Sequence, residues 1–210
     1  MMTKRTDRRR VSEVLVVTVG SVAVALAWML TPRYGPWSCQ AVASSICLVV
    51  AFYFGSADFT LGWTKGAVLS GALLGGFLAI ASWVCAPAAA KIMPEVGNNM
   101  RQLYATLNRP PGPVRSLPIL VLTVVAEELV WRRVLVTWLH KRLPLFGTVA
   151  IATLSYSIPI AASKSPLLVA IAICFGMLFT LQRLIFRTWI APLVAHLVWA
   201  ILVLIVHPLV

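Results

Sequence analysis

Long apolar runs, separated by short polar or basic segments, make up most of the chain. Seven of these runs approach the ~20 residues that a helix needs to cross a bilayer. They cover residues 14–30, 38–55, 66–84, 117–139, 146–162, 166–181 and 188–206. The pattern therefore predicts an all-α fold, a polytopic membrane bundle of about seven transmembrane helices.

One stretch inside the long loop 85–116 also repeats with a helical period. Its apolar positions recur at i, i+4, i+7, i+8 and i+11, the spacing of one helix face. Pro94 and Glu95 suit the beginning of a helix, and the proline-rich segment 109–113 ends it. We predict a short interfacial amphipathic helix on the membrane surface, which anchors the loop, gates a site or binds a partner. The apolar positions are Val96, Met100, Leu103, Tyr104 and Leu107.

Composition supports the membrane assignment. Of the 210 residues, 60% are hydrophobic and 11% are charged, and the mean hydropathy of +0.90 excludes an ordinary soluble domain. The net charge of +12 is compatible with nucleic-acid binding, but the basic residues lie in loops and at helix ends, where membrane topology uses them. We expect membrane lipid and no nucleic acid as a partner. The length suits a single bundle, residues 13–210, behind a basic tail, residues 1–12.

The basic cluster at residues 4–10 stands directly before the first apolar run. This arrangement resembles a signal peptide, but the run is long for one and no small-residue cleavage site follows it. We interpret it as a signal anchor that remains as the first helix, with the N-terminus in the cytoplasm. A bacterial inner membrane suits such a chain.

Cysteines and glycines in the apolar runs favour packing over chemistry. Cys39, Cys47, Cys85 and Cys174 show no metal-like spacing. Cys39 and Cys85 would share the outer face, where a disulfide is one interpretation and core packing the favoured one. The glycine pairs 62/66 and 71/75 have the small-xxx-small spacing of closely packed helices.

An acidic doublet falls in the middle of the fourth run. A charge at the centre of a membrane helix costs roughly 2.5–3.5 kcal/mol, so Glu127, Glu128 and Arg132 indicate an intramembrane polar site. Glu128 and Arg132 are i, i+4 neighbours and can pair on one helix face. Glu127 points elsewhere and needs a partner from another helix, a water molecule or a proton. Such a carboxylate is a plausible general base toward water.

His196 lies in the last apolar run at about the depth of Glu127, whereas His140 and His207 fall near helix ends. A lone intramembrane histidine is often a hydrogen-bond donor to a neighbouring helix. Because a carboxylate without a local partner occurs at the same depth, we favour a site that Glu127 and His196 share.

These residues carry a family resemblance. The motif Glu127-Glu128-x-x-x-Arg132, with His196 in a final apolar helix, resembles the CPBP family of CAAX-protease and bacteriocin-processing (Abi) intramembrane endopeptidases, relatives of Rce1. The segment 59–63 also looks like the family's usual entry, and the resemblance covers about residues 55–205. It implies that Glu127 activates the attacking water, that Glu128 and Arg132 hold the site together, and that His196 stabilises the oxyanion.

The chain departs from the family's other two motifs. The second, an aromatic residue with a histidine four positions later, reads Tyr156 and Ile160 here. The third, His-x-x-x-Asn, reads His196 and Ala200. Isoleucine cannot help to deprotonate a water molecule, and alanine cannot donate a hydrogen bond to an oxyanion. Loss of one oxyanion donor typically costs ~10²–10³ in rate.

Three functions follow as hypotheses. The first is an intramembrane endopeptidase acting on a membrane-associated peptide or protein substrate, with Glu127 and His196 as catalytic residues and Trp131 and Tyr156 as possible pocket residues. The second is a catalytically impaired relative that acts as a membrane binding or immunity partner. The third, a proton-relay transporter, is disfavoured by the short chain and the lack of an obvious inverted repeat. We expect neither a cofactor nor a metal, since two carboxylates and one histidine form a thin ligand set.

Overall fold

The computed structural model describes residues 2–54 and 62–209, with side chains described from residue 12 onward. These ranges are helical and contain no strand. The first four helices are α1 Met2–Tyr34, α2 Pro36–Phe54, α3 Lys65–Ile92 and α4 Pro94–Leu107. Residues 55–61, which include the end of the predicted second span and most of the segment 59–63, lie outside the described residues.

The second half of the chain forms four more helices. Helix α5 covers residues 117–140 in three consecutive segments: α-helical Leu117–Glu127, π-helical Glu128–Leu135 and α-helical Val136–His140. Two helices follow, α6 Leu145–Ile160 with a 3₁₀ turn Ala161–Ser163, and α7 Pro166–Phe186. The last is α8, α-helical over Ile190–Ile201 and π-helical over Leu202–Val206.

The predicted all-α membrane bundle is confirmed, and the chain is an integral membrane protein. Within the described residues, the helices long and apolar enough to cross a membrane are Ser12–Tyr34, Pro36–Phe54, Lys65–Ile92, Leu145–Ser163 and Pro166–Phe186. The segment Ile190–Val206 is apolar but shorter. Helix α5 has the predicted length, but the charged residues in its middle interrupt its apolar sequence.

One prediction about the segment after the third span needs correction. The predicted loop began at residue 85, but α3 continues to Ile92 because its alanine-rich end favours helix and tolerates Pro87. The predicted amphipathic helix is α4, and Met100 and Tyr104 on its apolar face are buried against the bundle. The Tyr104 hydroxyl donates to the Val203 carbonyl at 2.7 Å, and the Trp37 indole donates to the Leu107 carbonyl at 2.9 Å.

All four cysteines lie in described residues and are free thiols, so the alternative of a Cys39–Cys85 disulfide is wrong. Cys39 and Cys47 are buried, as core packing predicts, whereas Cys85 and Cys174 are exposed.

Helix α5 lies inside the bundle, where α1, α2, α6, α7 and α8 all contact it. Helix α3 packs closely along α8 through two glycines. A Cβ on Gly71 would lie 2.6 Å from the Ala191 carbonyl oxygen, and one on Gly75 would lie 2.5 Å from that of Ala195. The prediction of close packing therefore holds for this pair, while nothing approaches Gly66 within 4 Å. The contact sets the height of α8, and with it the position of His196.

Candidate active site

Two consecutive glutamates stand where α5 changes from α-helix to π-helix. Glu127 ends the α-helical segment and is partly exposed, while Glu128 begins the π-helical segment and is 0% exposed. Short π-helical segments occur often at functional sites. Because adjacent helical residues point in different directions, the two carboxylates meet different neighbours.

Glu128 joins a buried network that ties α5 to α7 and α8. Its Oε1 lies 3.0 Å from His196 Nδ1, and its Oε2 lies 3.5 Å from Arg132 Nε. The ion pair with Arg132 agrees with the geometry expected from the sequence. His196 is packed edge-on against Phe175, with ring centroids 6.1 Å apart, and next to Phe179 at 5.4 Å.

The Arg132 guanidinium, 1% exposed, fills the space between these helices. Its Nη2 donates to the Phe175 carbonyl at 3.2 Å. Its Cζ lies 4.3 Å from the centre of the Tyr156 ring and 5.6 Å from that of Phe179, which are cation–π distances. One cation thus holds α5, α6 and α7 together behind the cavity.

Glu127 has a different partner. The Tyr156 hydroxyl of α6 donates to Glu127 Oε2 at 2.8 Å. Tyr156 is in turn held by Trp131, whose ring lies edge-on at 5.4 Å and whose indole donates to the Ser155 carbonyl at 3.2 Å. Glu127, which has no partner on its own helix, therefore receives a hydrogen bond from Tyr156, the aromatic residue of the second motif.

A cavity of about 390 Å³ opens in front of Glu127. The described residues that line it come from all seven of the other helices besides α5 and are mostly apolar. Its wall brings together residues from all three sequence motifs: Glu127, Tyr156, Ile160, His196 and Ala200. Glu127 and His196 share this cavity, although the hydrogen bond of His196 goes to Glu128.

The other predicted site residues lie outside the cavity wall. Glu128 and Arg132 form a buried network behind it. Trp131 is 1% exposed and is not among the residues that line this cavity. It packs against Tyr156, with the two ring centroids 5.4 Å apart.

Sequence reasoning left open whether α4 anchors the loop, gates a site or binds a partner. Its five apolar stripe residues all line the cavity, which the helical period alone could not show because it does not say what the stripe faces. The hydrogen bond from the Tyr156 hydroxyl to Glu127 was the other feature that the sequence did not predict. Among the described residues no three His, Cys, Asp or Glu side chains are grouped as metal ligands.

Comparison with known protein families gives a match over part of the chain. Residues 110–202 match a family model described as type II CAAX prenyl endopeptidase Rce1-like. This range contains all three motifs and every predicted site residue. No curated protein and no solved structure matches the chain.

Proposed function

We propose that this chain, whose residues 110–202 match the Rce1-like family of type II CAAX prenyl endopeptidases, is an intramembrane endopeptidase in which Glu127 activates water. It hydrolyses a peptide bond of a membrane-associated substrate. The observation that carries the proposal is the common cavity wall of Glu127, Tyr156 and His196. The family membership and the membrane bundle support a protease that works on peptides in a lipid environment.

In the proposed reaction, Glu127 accepts a proton from a water molecule as the water oxygen attacks the carbonyl carbon of the scissile bond. The carbonyl π electrons move onto oxygen to form a tetrahedral oxyanion. When the C–N bond breaks, Glu127 returns its proton to the leaving amine. The Tyr156 hydroxyl, bound to Oε2, orients the carboxylate so that Oε1 is free for the water.

His196 is the proposed oxyanion donor. Its Nδ1 is held by Glu128, so the ring has a fixed orientation, and its other nitrogen makes no hydrogen bond with the described residues. The free ring nitrogen, Nε2, is the proposed hydrogen-bond donor to the oxyanion. Glu128 and Arg132 are proposed to act through His196 and Tyr156, and not on the substrate.

The cellular setting belongs to the same proposal. The basic tail 1–12 precedes the bundle 13–210, within which the family-like region extends over about 55–205. We propose a bacterial inner membrane with the N-terminus in the cytoplasm, on the distribution of basic residues.

A second candidate function, a catalytically impaired relative that binds a membrane partner, is favoured by a specific observation. Ile160 and Ala200 both line the cavity at the positions where the motifs normally supply a histidine and an asparagine. Apolar side chains there give neither a second base nor a second oxyanion donor. The cavity of such a protein would still bind an apolar peptide.

One experiment separates the two functions. Wild-type protein and Glu127→Gln are expressed in a host membrane, and new peptide N-termini of membrane proteins are identified by amine labelling and mass spectrometry. Glu95→Gln, an exposed glutamate of α4, is the matched control. The endopeptidase produces N-termini that Glu127→Gln lacks and Glu95→Gln retains. Cleavage in H₂¹⁸O places ¹⁸O in the new C-terminal carboxylate. Identical N-termini for wild type and Glu127→Gln would contradict the proposed enzyme.

A further inference from the structure

We propose that Arg183 and Arg133 hold a phosphate group at the end of the bundle where α5 and α7 end. A phospholipid headgroup and a free phosphate ion both carry the group that this site would recognise. Neither arginine lines the cavity in front of Glu127, so the inference concerns a separate place and does not rest on the proposed function.

Arg183 lies in the last turn of α7, and its guanidinium is only partly satisfied. Its Nη2 donates to the Thr137 hydroxyl oxygen of α5 at 3.2 Å. Its Nε is buried and has no hydrogen-bond partner among the residues that the structure describes. A buried donor without an acceptor is costly, and an anionic oxygen is the acceptor that forms the strongest bonds with a guanidinium.

A second guanidinium lies close to the first. Arg133 precedes Thr137 by about one turn of α5, and its positive charge acts on Arg183. Both arginine side chains are half-buried, and like charges repel strongly where water is scarce. No carboxylate of the described side chains forms an ion pair with Arg183. An anion from outside this part of the chain would therefore complete the site.

The place suits a phosphate group in depth and in chemistry. Because α7 is long enough to cross the hydrocarbon core, its last turn lies near the phospholipid headgroups. Exposed cations at the same end of the bundle attract anions toward it, namely Lys141, Arg142 and Arg187. A guanidinium binds phosphate through parallel N–H···O bonds, which the point charge of a lysine cannot reproduce.

A phosphate bound by both arginines would tie α5 to α7 near their ends. Arg132 already joins the same two helices deeper in the bundle, through its bond to the Phe175 carbonyl. Since α5 carries Glu127 and Glu128, the bound anion would stabilise the helix on which both carboxylates stand.

Thermal unfolding of the full chain in detergent tests the ligand. The additives are phosphatidylglycerol, phosphatidylcholine, inorganic phosphate, and oleate as an anion without phosphorus. We expect phosphatidylglycerol to raise the unfolding temperature by about 4–8 °C over phosphatidylcholine. The same rise with inorganic phosphate alone would support the site and assign it to a free phosphate. An equal rise with oleate, or no rise with either phosphate source, overturns the inference; the latter would follow if Asp7 or Asp58 supplied the counter-charge.

Two variants separate the site from general attraction of charge. Without a phosphate source, Arg183→Gln should unfold at the same or a higher temperature than wild type, because the repulsion from Arg133 is relieved. It should also lose most of the rise that the phosphate source gives. Arg142→Gln is the matched control, since this exposed arginine lies over the Trp138 ring, with Cζ 4.8 Å from the ring centre. It should keep the rise.

Equal loss of the rise in both variants overturns the inference, and so does an Arg183→Gln protein that is destabilised equally with and without a phosphate source. Arg183→Lys keeps the charge and serves if Arg183→Gln does not fold. Native mass spectrometry should show its retention of phosphatidylglycerol weakened about tenfold, because lysine lacks the fork of donors. Retention equal to that of wild type overturns the role of the guanidinium.

Discussion

The Nδ1 atom of His196 lies 3.0 Å from Oε1 of Glu128, whereas the preceding residue, Glu127, accepts its hydrogen bond from Tyr156. Two consecutive carboxylates therefore belong to different networks. One is buried between helices with a histidine and an arginine, and the other reaches a cavity. This division of the doublet underlies the proposed roles, since the carboxylate with access to the cavity is the one that can meet water.

The two glutamates should respond differently to the same substitution. Glu127→Gln removes the proposed base and should lower the cleavage rate at least ~10²-fold, with little change in thermal unfolding in detergent. Glu128→Gln leaves Arg132 buried without its counter-charge and should destabilise the protein by ~3–5 kcal/mol. Thermal unfolding and cleavage measured on both variants check this. Equal loss of stability would argue that the doublet acts as one unit.

Tyr156→Phe should slow cleavage without loosening the fold. The substitution removes the hydroxyl that donates to Glu127 and keeps the ring on which Arg132 stacks. A hydrogen bond to a charged group is worth ~1.5–3 kcal/mol, so a ~10–100-fold fall in kcat is expected, with KM nearly unchanged. A change confined to KM would mean that the hydroxyl binds substrate and does not orient the carboxylate.

Restoring the two missing motif residues should raise activity. Ile160→His with Ala200→Asn introduces an acid/base group and an amide into the wall that already holds Glu127 and His196. The proposed mechanism predicts that new peptide N-termini form at a rate ~10²-fold or more above wild type. The double variant carrying Glu127→Gln as well is the control and should be inactive. No gain in a folded double variant would count against the proposed placement of the water.

Gly75→Ala should disturb the site from a distance. An added Cβ meets the Ala195 carbonyl oxygen at 2.5 Å and must push α8 away from α3, which carries His196 with it. We expect a loss of ~1–3 kcal/mol in stability and slower cleavage. Gly76→Ala is the neighbouring control, because nothing lies within 4 Å of its Cβ, and it should be neutral or stabilising. Similar unfolding temperatures for both variants would contradict the tight contact.

Most of the fold could be predicted because it follows from hydropathy alone. The apolar runs located the helices, and the i, i+4 spacing of Glu128 and Arg132 gave their ion pair before any coordinates. The α4 helix was also visible, since a period of 3.6 residues needs no tertiary knowledge.

The rest depends on which faces meet in three dimensions. The period of α4 could not say whether lipid or protein covers its apolar side. The π-helical turn at Glu128 leaves no mark in the residue pattern, and neither does the contact between Trp131 and Tyr156. Which glutamate His196 contacts depends on how α8 is rotated about its own axis. The sequence could not show this, because Glu127 and Glu128 both lie at about the depth of His196 in the membrane.

The glycine contact between α3 and α8 limits where a polypeptide substrate can enter the bundle. Backbone rests almost directly on backbone there, and the Trp83 and Trp199 indoles bridge the same two helices through the His207 carbonyl and the Ser82 hydroxyl. The interface between α3 and α8 is therefore too tightly packed for a polypeptide to pass through it from the lipid. A substrate must enter, and its fragments must leave, at another point on the circumference of the bundle.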